Sequence, residues 1–322
     1  MFKKLGLLFM LLFVAVTATG CRAVNASESE RVVIFSNADQ EAIQVIRETL
    51  DNNGFSGQYV IQVLGTSELA GRVVGEGTNI EADIVTLSSF HIESNASVFK
   101  DFDVKQNGLA DTVNFHSPLL GLEGSLVINT QVMEASNLPV PTSLKDLANP
   151  IYAGYISIPD LNSSTTGWLF IQAILENYGV SEGREILSGI LENVGVHFES
   201  GGSTPIVKAR TGEVGIAFGL RHQGIAAYNE GLPIQVIDVL EGNFILTESV
   251  AVVNKANVSP LVLEMASLIA NGTRDALLNY YPTPLFADEN VSAQDIARVN
   301  FFPYTLTTSL LAEHIEFLNS AR

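Results

Sequence analysis

Residues 119–130 read LLGLEGSLVINT, and residues 245–254 read ILTESVAVVN. Both stretches are rich in apolar and β-branched residues, a composition that favours extended strands. Between them lies a block in which strand-like and helix-like runs alternate. Two long extended segments that flank an α/β block predict a chain that crosses between two lobes twice.

Short β-branched runs alternate with runs of helical spacing along the rest of the chain, which predicts an α/β fold. The predicted strands are RVVIFS (31–36), QYVIQVLG (58–65), ADIVTLSS (82–89), YISIPD (155–160), EVGIAFGL (213–220) and PIQVIDV (233–239). The predicted helices are QEAIQVIRETLDNNG (40–54), TSELAGRVVGEG (66–77), TGWLFIQAILENYG (166–179) and the regions 259–281 and 304–320.

The predicted crossings divide the chain into two lobes with a ligand cleft between them. We expect the first lobe to comprise residues 31–124 and 248–322, and the second lobe residues 125–247. The open α/β arrangement places ligands at the carboxyl ends of the strands, where the connecting loops meet.

The first 20 residues are typical of an export signal. Two lysines precede an uncharged run from Leu5 to Ala18, and Thr19-Gly20 leads into Cys21. A charged start, a short apolar middle and small residues at the end describe a signal peptide, and the run is shorter than the roughly 20 apolar residues of a membrane span. We expect a polar, flexible tether over residues 21–30.

Cys21 is the only cysteine in the chain. Its setting resembles the lipobox of bacterial lipoproteins, although Ala18 stands where that motif more often has leucine. The resemblance implies that Cys21 becomes the lipidated N-terminus and tethers the protein to the outer face of the cell membrane. An ordinary secretory signal before a free cysteine is the alternative, but a lone thiol suits an oxidising compartment poorly.

The net charge of −18 narrows the range of partners. So acidic a surface repels nucleic acid and anionic lipid headgroups, so we expect neither as a partner. An anion would have to be bound by local groups, because the electrostatic field of the whole protein repels it. With one cysteine there is no disulfide and no cysteine-based zinc site. We expect no cofactor and no metal ion.

Three stretches carry a family resemblance: NLPVPTSLKDLANPIYAG (137–154), GEVGIAFGLRHQ (212–223) and EGNFILTESVAVV (241–253). The first matches a P-x-S-x-x-D-L and P-x-Y-x-G pattern through Pro141, Ser143, Asp146, Leu147, Pro150, Tyr152 and Gly154. The chain resembles the family 1 extracellular solute-binding proteins of ABC importers. The branch that contains ferric-ion and 2-aminoethylphosphonate binders fits best.

The resemblance implies a fold and a way of working. It implies the two-lobed periplasmic-binding-protein-like fold of type II topology, in which the lobes close on a small solute by hinge motion. It also implies a membrane permease as the partner and no catalytic step. We expect a monomer.

Small hydroxyl and amide residues follow several predicted strands, where helix N-termini can hold anions. The predicted ligand residues of this kind are Ser36, Asn37, Thr66, Ser67, Ser88, Ser163, Ser164, Thr165 and Ser203, together with Ser125 on the first extended segment. The same residues are preferred N-caps of any helix, which is the alternative for each one alone. The runs SSTTGW and SGGST are stronger candidates, because a cap needs only one hydroxyl.

Arg221 and His222 follow the EVGIAFGL strand. The resemblance implies that ferric-binding relatives have a pair of tyrosines at this position, which coordinate Fe(III). This sequence has an arginine and a histidine instead, which supply positive charge and N–H donors. Arginine suits the bidentate recognition of phosphate-like oxyanions. An ion pair is the alternative role for Arg221.

A solute with an amine would also need a carboxylate or an aromatic face at its other end. The candidate carboxylates are Asp39, Glu68, Glu123, Glu199 and Glu248. Glu123 and Glu248 lie on the two extended segments that border the cleft, and Glu248 is counted among the predicted ligand residues.

The leading hypothesis is therefore an importer-linked binding protein for a small phosphorus-containing anion, 2-aminoethylphosphonate or a related organophosphonate. A ferric-ion or other anion binder of the same class is the first alternative. A surface-anchored hydrolase is a second, although the chain has neither a G-x-S-x-G elbow nor an H-E-x-x-H motif. A solute sensor for a membrane receptor is a third.

Overall fold

The computed structural model describes residues 31–109, 113–290 and 299–322. The predicted signal peptide, the tether and Cys21 lie outside the described residues. Within them, no helix combines the length and the apolar character that a membrane crossing requires.

The described strands form one mixed sheet, with the order β2-β1-β3-β10-β5-β8-β6-β7 and with β4 and β11 paired to β10 and β9 paired to β5. The strands are β1 Val32–Ser36, β2 Tyr59–Val63, β3 Ile84–Ser88, β4 Phe99–Lys100, β5 His116–Asn129, β6 Ile156–Pro159, β7 Phe198–Glu199, β8 Ile216–Leu220, β9 Ile234–Ile237, β10 Asn243–Val253 and β11 Val299–Asn300. The predicted α/β class is confirmed.

The helices cover both faces of this sheet. They are α1 Gln40–Leu50, α2 Thr66–Glu76, α3 Ser89–Ser94, α4 Thr130–Ala135, α5 Thr166–Val194, α6 Thr204–Thr211, α7 Arg221–Asn229, α8 Pro260–Gly272, α9 Arg274–Leu277 and α10 Thr308–Ser320. The predicted helix over 166–179 is only the first half of α5. Gly179 interrupts it with a φ of 64° and a ψ of −173°, and helical conformation then resumes to Val194.

β5 and β10 are the two long strands, and they carry the chain across the fold. They pair with each other in antiparallel fashion. β10 also pairs with β3 through residues 248–252, and β5 pairs with β8 through residues 124–128. Because each long strand is shared between the two halves of the sheet, the predicted two-lobed architecture with two crossover segments is confirmed.

Each lobe has apolar cores on both faces of its part of the sheet. In the first lobe α1 and α8 pack on one face, and α2 and α3 on the other. In the second lobe α5 packs on one face, and α6 and α7 on the other. The predicted division assigned all of 248–322 to the first lobe, whereas Phe317 and Leu318 of α10 belong to the core of α5. The lobe boundaries themselves stay a prediction.

The carboxyl ends of the strands in the two lobes face each other across the long strands. β3 ends at Ser88, which pairs with Glu248 and through it lies beside Leu120 of β5. β8 ends at Leu220, which lies opposite Gly124 of β5. Leu120 and Gly124 are four residues apart on β5, which corresponds to about 13 Å of extended chain. The loops that follow the strands therefore meet over one short stretch of β5 and β10.

Candidate functional site

A cavity of about 540 Å³ lies where these loops meet. The first lobe contributes Asp39, at the start of α1, and Tyr281, in the segment after α9. The second lobe contributes Ser203, His222 and Gln223 at the starts of α6 and α7. Residues from both lobes thus line one space at the carboxyl edge of the sheet, where open α/β folds bind ligands.

Asn37 organises the loop that follows β1. Its Nδ2 donates hydrogen bonds to Thr66 Oγ1 at 3.0 Å and to Glu248 Oε1 at 2.8 Å. Ser36 supports the same loop from beneath, since its buried hydroxyl lies 2.5 Å from Thr86 Oγ1 and accepts a hydrogen bond from the Ala38 amide. The structure therefore brings Asn37, Thr66 and Glu248 together, while the Ser36 hydroxyl is used within the protein.

Two carboxyl groups lie near this loop, of which Asp39 lines the cavity and Glu248 does not. Glu248 is 6% exposed, and burial raises its pKa to about 7, with a further increase from the charge of Asp39. The hydrogen bond from Asn37 lowers the pKa of Glu248 but only partly offsets the burial. Burial, followed by the charge of Glu41, raises the pKa of Asp39. Glu248 can thus carry a proton near neutral pH.

His222 and Tyr281 meet across the cavity. Their ring centroids are 4.5 Å apart, and His222 Nε2 lies 4.0 Å from Asp39 Oδ2. Burial lowers the pKa of His222 to about 4, so the imidazole is neutral at physiological pH. Burial and the charge of Asp39 raise the pKa of Tyr281, so its phenol stays protonated. Tyr281 lines the cavity, although no local motif in the sequence marks it as a ligand residue.

The hydroxyl-rich loops before α5 and α6 lie against each other in the second lobe. A Cβ added to Gly202 would lie 2.5 Å from Thr166 Oγ1 and 2.6 Å from Ser164 Oγ. The two helices begin at Thr166 and Thr204, so their first unpaired amides lie in the same neighbourhood. This grouping of hydroxyls, amides and a side-chain-free backbone can hold an oxyanion.

Arg221 is engaged by the protein itself. Its Nε lies 3.4 Å from Glu123 Oε1 and 3.3 Å from Asp238 Oδ1. Asn243 Nδ2 donates to both carboxylates, at 3.0 Å and 2.8 Å. Because Glu123 and Asn243 belong to β5 and β10, this network ties the start of α7 to the crossing strands. Contact between Arg221 and a solute stays a prediction.

The other predicted ligand residues are Ser67, Ser88, Ser125, Ser163 and Thr165. Ser88 and Ser125 are buried, and Ser125 Oγ donates to the Ile237 carbonyl at 2.9 Å. Ser163 Oγ donates to the Asp160 carbonyl at 3.3 Å. Ser67 is exposed on the first turn of α2, and Thr165 caps α5 without a side-chain hydrogen bond. Their part in ligand binding stays a prediction.

Besides His222, two other histidines lie near carboxylates. His116 Nε2 lies 3.3 Å from Glu93 Oε1, and His116 Nδ1 lies 3.0 Å from Ser249 Oγ. His197 lies 3.6 Å from Glu213. Ser249 is fully enclosed, so its hydroxyl cannot meet a substrate. Over the ranges that the structure covers, no cluster of three or more His, Cys, Asp or Glu side chains could hold a metal ion.

Replacing Glu248 by glutamine is expected to stabilise the protein at alkaline pH. The folded protein binds a proton at Glu248 up to about pH 7, whereas the unfolded chain releases it near 4.5. The free energy of unfolding of the wild type therefore falls as the pH rises from about 5 to 7. Glutamine keeps the Asn37 hydrogen bond without this cost, so the variant should gain about 2–3 kcal/mol at pH 8 and little at pH 5.

Urea unfolding at both pH values measures this difference. Glu134→Gln, which changes an exposed carboxyl on α4, is the matched control. A gain of the same size at both pH values would show that Glu248 is not a strained buried carboxyl.

The fold is shared with solved binding proteins. The chain superposes on AfuA from Actinobacillus pleuropneumoniae, a periplasmic binding protein with bound fructose-6-phosphate, with a TM-score of 0.74 and 15% identity, covering 89% of this chain and 96% of that one. It superposes on iron-bound HitA from Pseudomonas aeruginosa with a TM-score of 0.73 and 16% identity, covering 90% and 99%. At these identities the likeness shows the fold alone.

The sequence itself gives the family. An uncharacterized protein of Haemophilus influenzae is 22% identical over 235 residues, which span 68% of this chain and 66%, just under two thirds, of that relative. The sequence model of the bacterial extracellular solute-binding proteins matches residues 80–258, more than half of the chain. The chain therefore belongs to the family of bacterial extracellular solute-binding proteins.

Proposed function

We propose that the chain is the solute-binding component of an ABC importer and captures a small oxyanion, 2-aminoethylphosphonate or a related organophosphonate. The observation that carries this proposal is the contact between the loops before α5 and α6, where Ser164, Thr166 and the Gly202 backbone converge. In a chain of net charge −18, an anion needs such local donors.

The proposed capture of the solute uses the two strands that connect the lobes. The strands β5 and β10 connect the two lobes, so bending them would carry the α5–α6 loops towards Asn37 and Thr66. A solute held by both walls would stabilise the closed form, because it gains contacts that the open form cannot offer. Binding and closure, without a chemical step, constitute the proposed function.

The membrane context is part of the same proposal. Family membership places the protein outside the cytoplasm. The lysine-led apolar run before Cys21 supports export followed by lipidation of that cysteine. A tethered monomer would keep its solute close to a permease, its proposed partner.

A thermal-shift panel on protein freed of carried-over ligand by unfolding and refolding tests the solute class. At a concentration 100 times its Kd, 2-aminoethylphosphonate should raise the Tm by roughly 5 °C. If Arg221 leaves its carboxylate partners to contact the oxyanion, Arg221→Ala should remove most of this shift.

The panel should include phosphate esters, inorganic phosphate and Fe(III). No shift with any phosphorus compound, together with a coloured complex on addition of Fe(III), would favour the ferric-ion alternative. Turnover of a chromogenic ester would point to the hydrolase alternative instead.

A further inference from the structure

Both loops of the proposed oxyanion site begin at an acidic residue. Asp160 follows β6 and leads into the loop before α5, and Glu199 ends β7 and leads into the loop before α6. The Asp160 amide donates to the Glu199 carbonyl at 2.7 Å, so the two residues are neighbours in space. In a chain of net charge −18, two carboxylates at this place would repel an anion unless cations neutralise them.

Asp160 organises the loop before α5. Its carbonyl accepts hydrogen bonds from the amides of Ser163 and Ser164, at 3.0 Å and 2.8 Å. Its Oδ1 accepts from the backbone and side-chain amides of Asn162, at 2.9 Å and 2.7 Å. Ser164 carries one of the hydroxyls that converge on Gly202. The Asp160 carboxylate therefore belongs to the same turn as Ser164, and its charge acts on any oxyanion held there.

Arg322, which follows α10, contacts both loops. Its Nη2 donates to Asp160 Oδ2 at 2.7 Å, and its guanidinium lies 4.7 Å from the centre of the Phe198 ring on β7. The side chain of Asp160 is 18% exposed, which limits the screening of this pair by solvent. Glu199 has a cation as well, since Lys208 Nζ lies 2.8 Å from its Oε1. Each acid at the start of these loops thus has a basic partner.

We propose that Arg322 is a positioning residue for solute binding, which allows the loops before α5 and α6 to hold an oxyanion by pairing with Asp160. In this role it acts through Asp160 and not by touching the solute. The guanidinium cancels a negative charge that would otherwise repel the bound anion. This inference rests on the proposed function, because it assumes that an oxyanion binds at these loops.

A purely mechanical clamp is the alternative role for Arg322. Its contact with the Phe198 ring, and the 3.3 Å hydrogen bond from Asn162 to Asn319 of α10, would then fix the loops in place. The two roles differ in the effect of Asp160→Asn. Asparagine keeps the acceptor oxygen for Asn162 but carries no charge. It should restore the binding lost with Arg322 if charge is the cause, and should not if the guanidinium is a clamp.

Isothermal titration calorimetry at pH 7.5, with 2-aminoethylphosphonate and with inorganic phosphate, measures the effect. In Arg322→Ala the affinity should fall roughly 3- to 10-fold, because the charge of Asp160 is left uncompensated. Arg322→Lys keeps the charge and should retain most of the affinity. The double variant Arg322→Ala/Asp160→Asn should return close to the wild type. Raising NaCl from about 20 mM to about 500 mM should shrink the loss in Arg322→Ala.

Arg72→Ala is the matched control. Arg72 lies on α2 of the first lobe, pairs with Glu76 at 2.6 Å and stands 4.6 Å from the centre of the Phe35 ring. It therefore makes the same two kinds of contact as Arg322, but away from the α5–α6 loops, and its replacement should leave the affinity unchanged. Without ligand, every variant should melt within roughly 3 °C of the wild type, since exposed ion pairs contribute little stability.

The outcomes separate this inference from the proposed function. Equal affinities of the wild type and Arg322→Ala would overturn the positioning role and leave the oxyanion proposal standing. A loss in Arg322→Ala that persists in the double variant would overturn charge cancellation in favour of the clamp. Binding of inorganic phosphate but of no phosphonate, with the expected order of variants, would support the inference and overturn the phosphonate class. If the wild type binds no phosphorus oxyanion, both proposals fail.

Discussion

Replacing Arg274 by methionine is expected to lower the free energy of unfolding by about 3–5 kcal/mol. Arg274 is 3% exposed and Glu289 is 1% exposed, and they form a two-pronged ion pair at 2.6 Å and 2.9 Å. The guanidinium also donates to the carbonyls of Leu119 and Thr283. Methionine would fill the volume but leave a buried carboxylate without its positive partner and two carbonyls without the guanidinium donor.

Urea unfolding at pH 7 measures this loss. Arg210→Met, which breaks the exposed ion pair of Arg210 with Glu230, is the matched control and should change stability by no more than about 1 kcal/mol. Arg274→Lys should fall between the two, because one ammonium cannot serve the same set of acceptors. Equal losses at Arg274 and Arg210 would show that the buried pair does not stabilise the fold.

The strands could be predicted because their signal is local. The quoted stretches 119–130 and 245–254 correspond to β5 and β10, with ends that differ by a few residues. Each strand is buried along most of its length, so the greater part of it is apolar and stands out in the sequence. The alternation of these strands with helical runs was enough to predict the α/β class and the two crossings.

The missed parts of the fold depend on long-range packing. The sequence indicated a stop at Gly179, but helical conformation resumes because Ile186, Leu187 and Ile190 find a core to bury against. Likewise, α10 follows first-lobe segments in the chain and packs on α5 of the second lobe. Helical spacing shows that a helix has an apolar face, but not which partner will cover it.

In the candidate site, too, the residues with a local sequence signal could be predicted and the long-range contacts could not. Asn37, Thr66 and Glu248 were predicted from their places at strand ends and on the crossing segment, and the structure links them by hydrogen bonds. The partners of Arg221 and the position of Tyr281 against His222 could not be predicted. These contacts join residues that are far apart in the chain, and no local pattern marks them.

Replacing Gly202 by valine is expected to weaken 2-aminoethylphosphonate binding by roughly 100-fold, because two hydrogen bonds to a charged oxyanion are lost. Even the Cβ would lie 2.5 Å from Thr166 Oγ1 and 2.6 Å from Ser164 Oγ, so both hydroxyls must turn away. The side chain would also cover the backbone that the oxyanion approaches. Both loops are partly exposed, so the variant should still fold.

The grading of the effect tests this steric cause. Gly202→Ala displaces the hydroxyls but covers less backbone, so its loss of affinity should be smaller than that of Gly202→Val. Gly71→Val, at an exposed α2 position where an added Cβ meets nothing within 4 Å, should bind as the wild type. Calorimetry gives the affinities, and thermal melting without ligand shows whether folding is intact. Wild-type affinity in folded Gly202→Val would place the oxyanion away from the α5–α6 loops, since a valine there leaves no room for both.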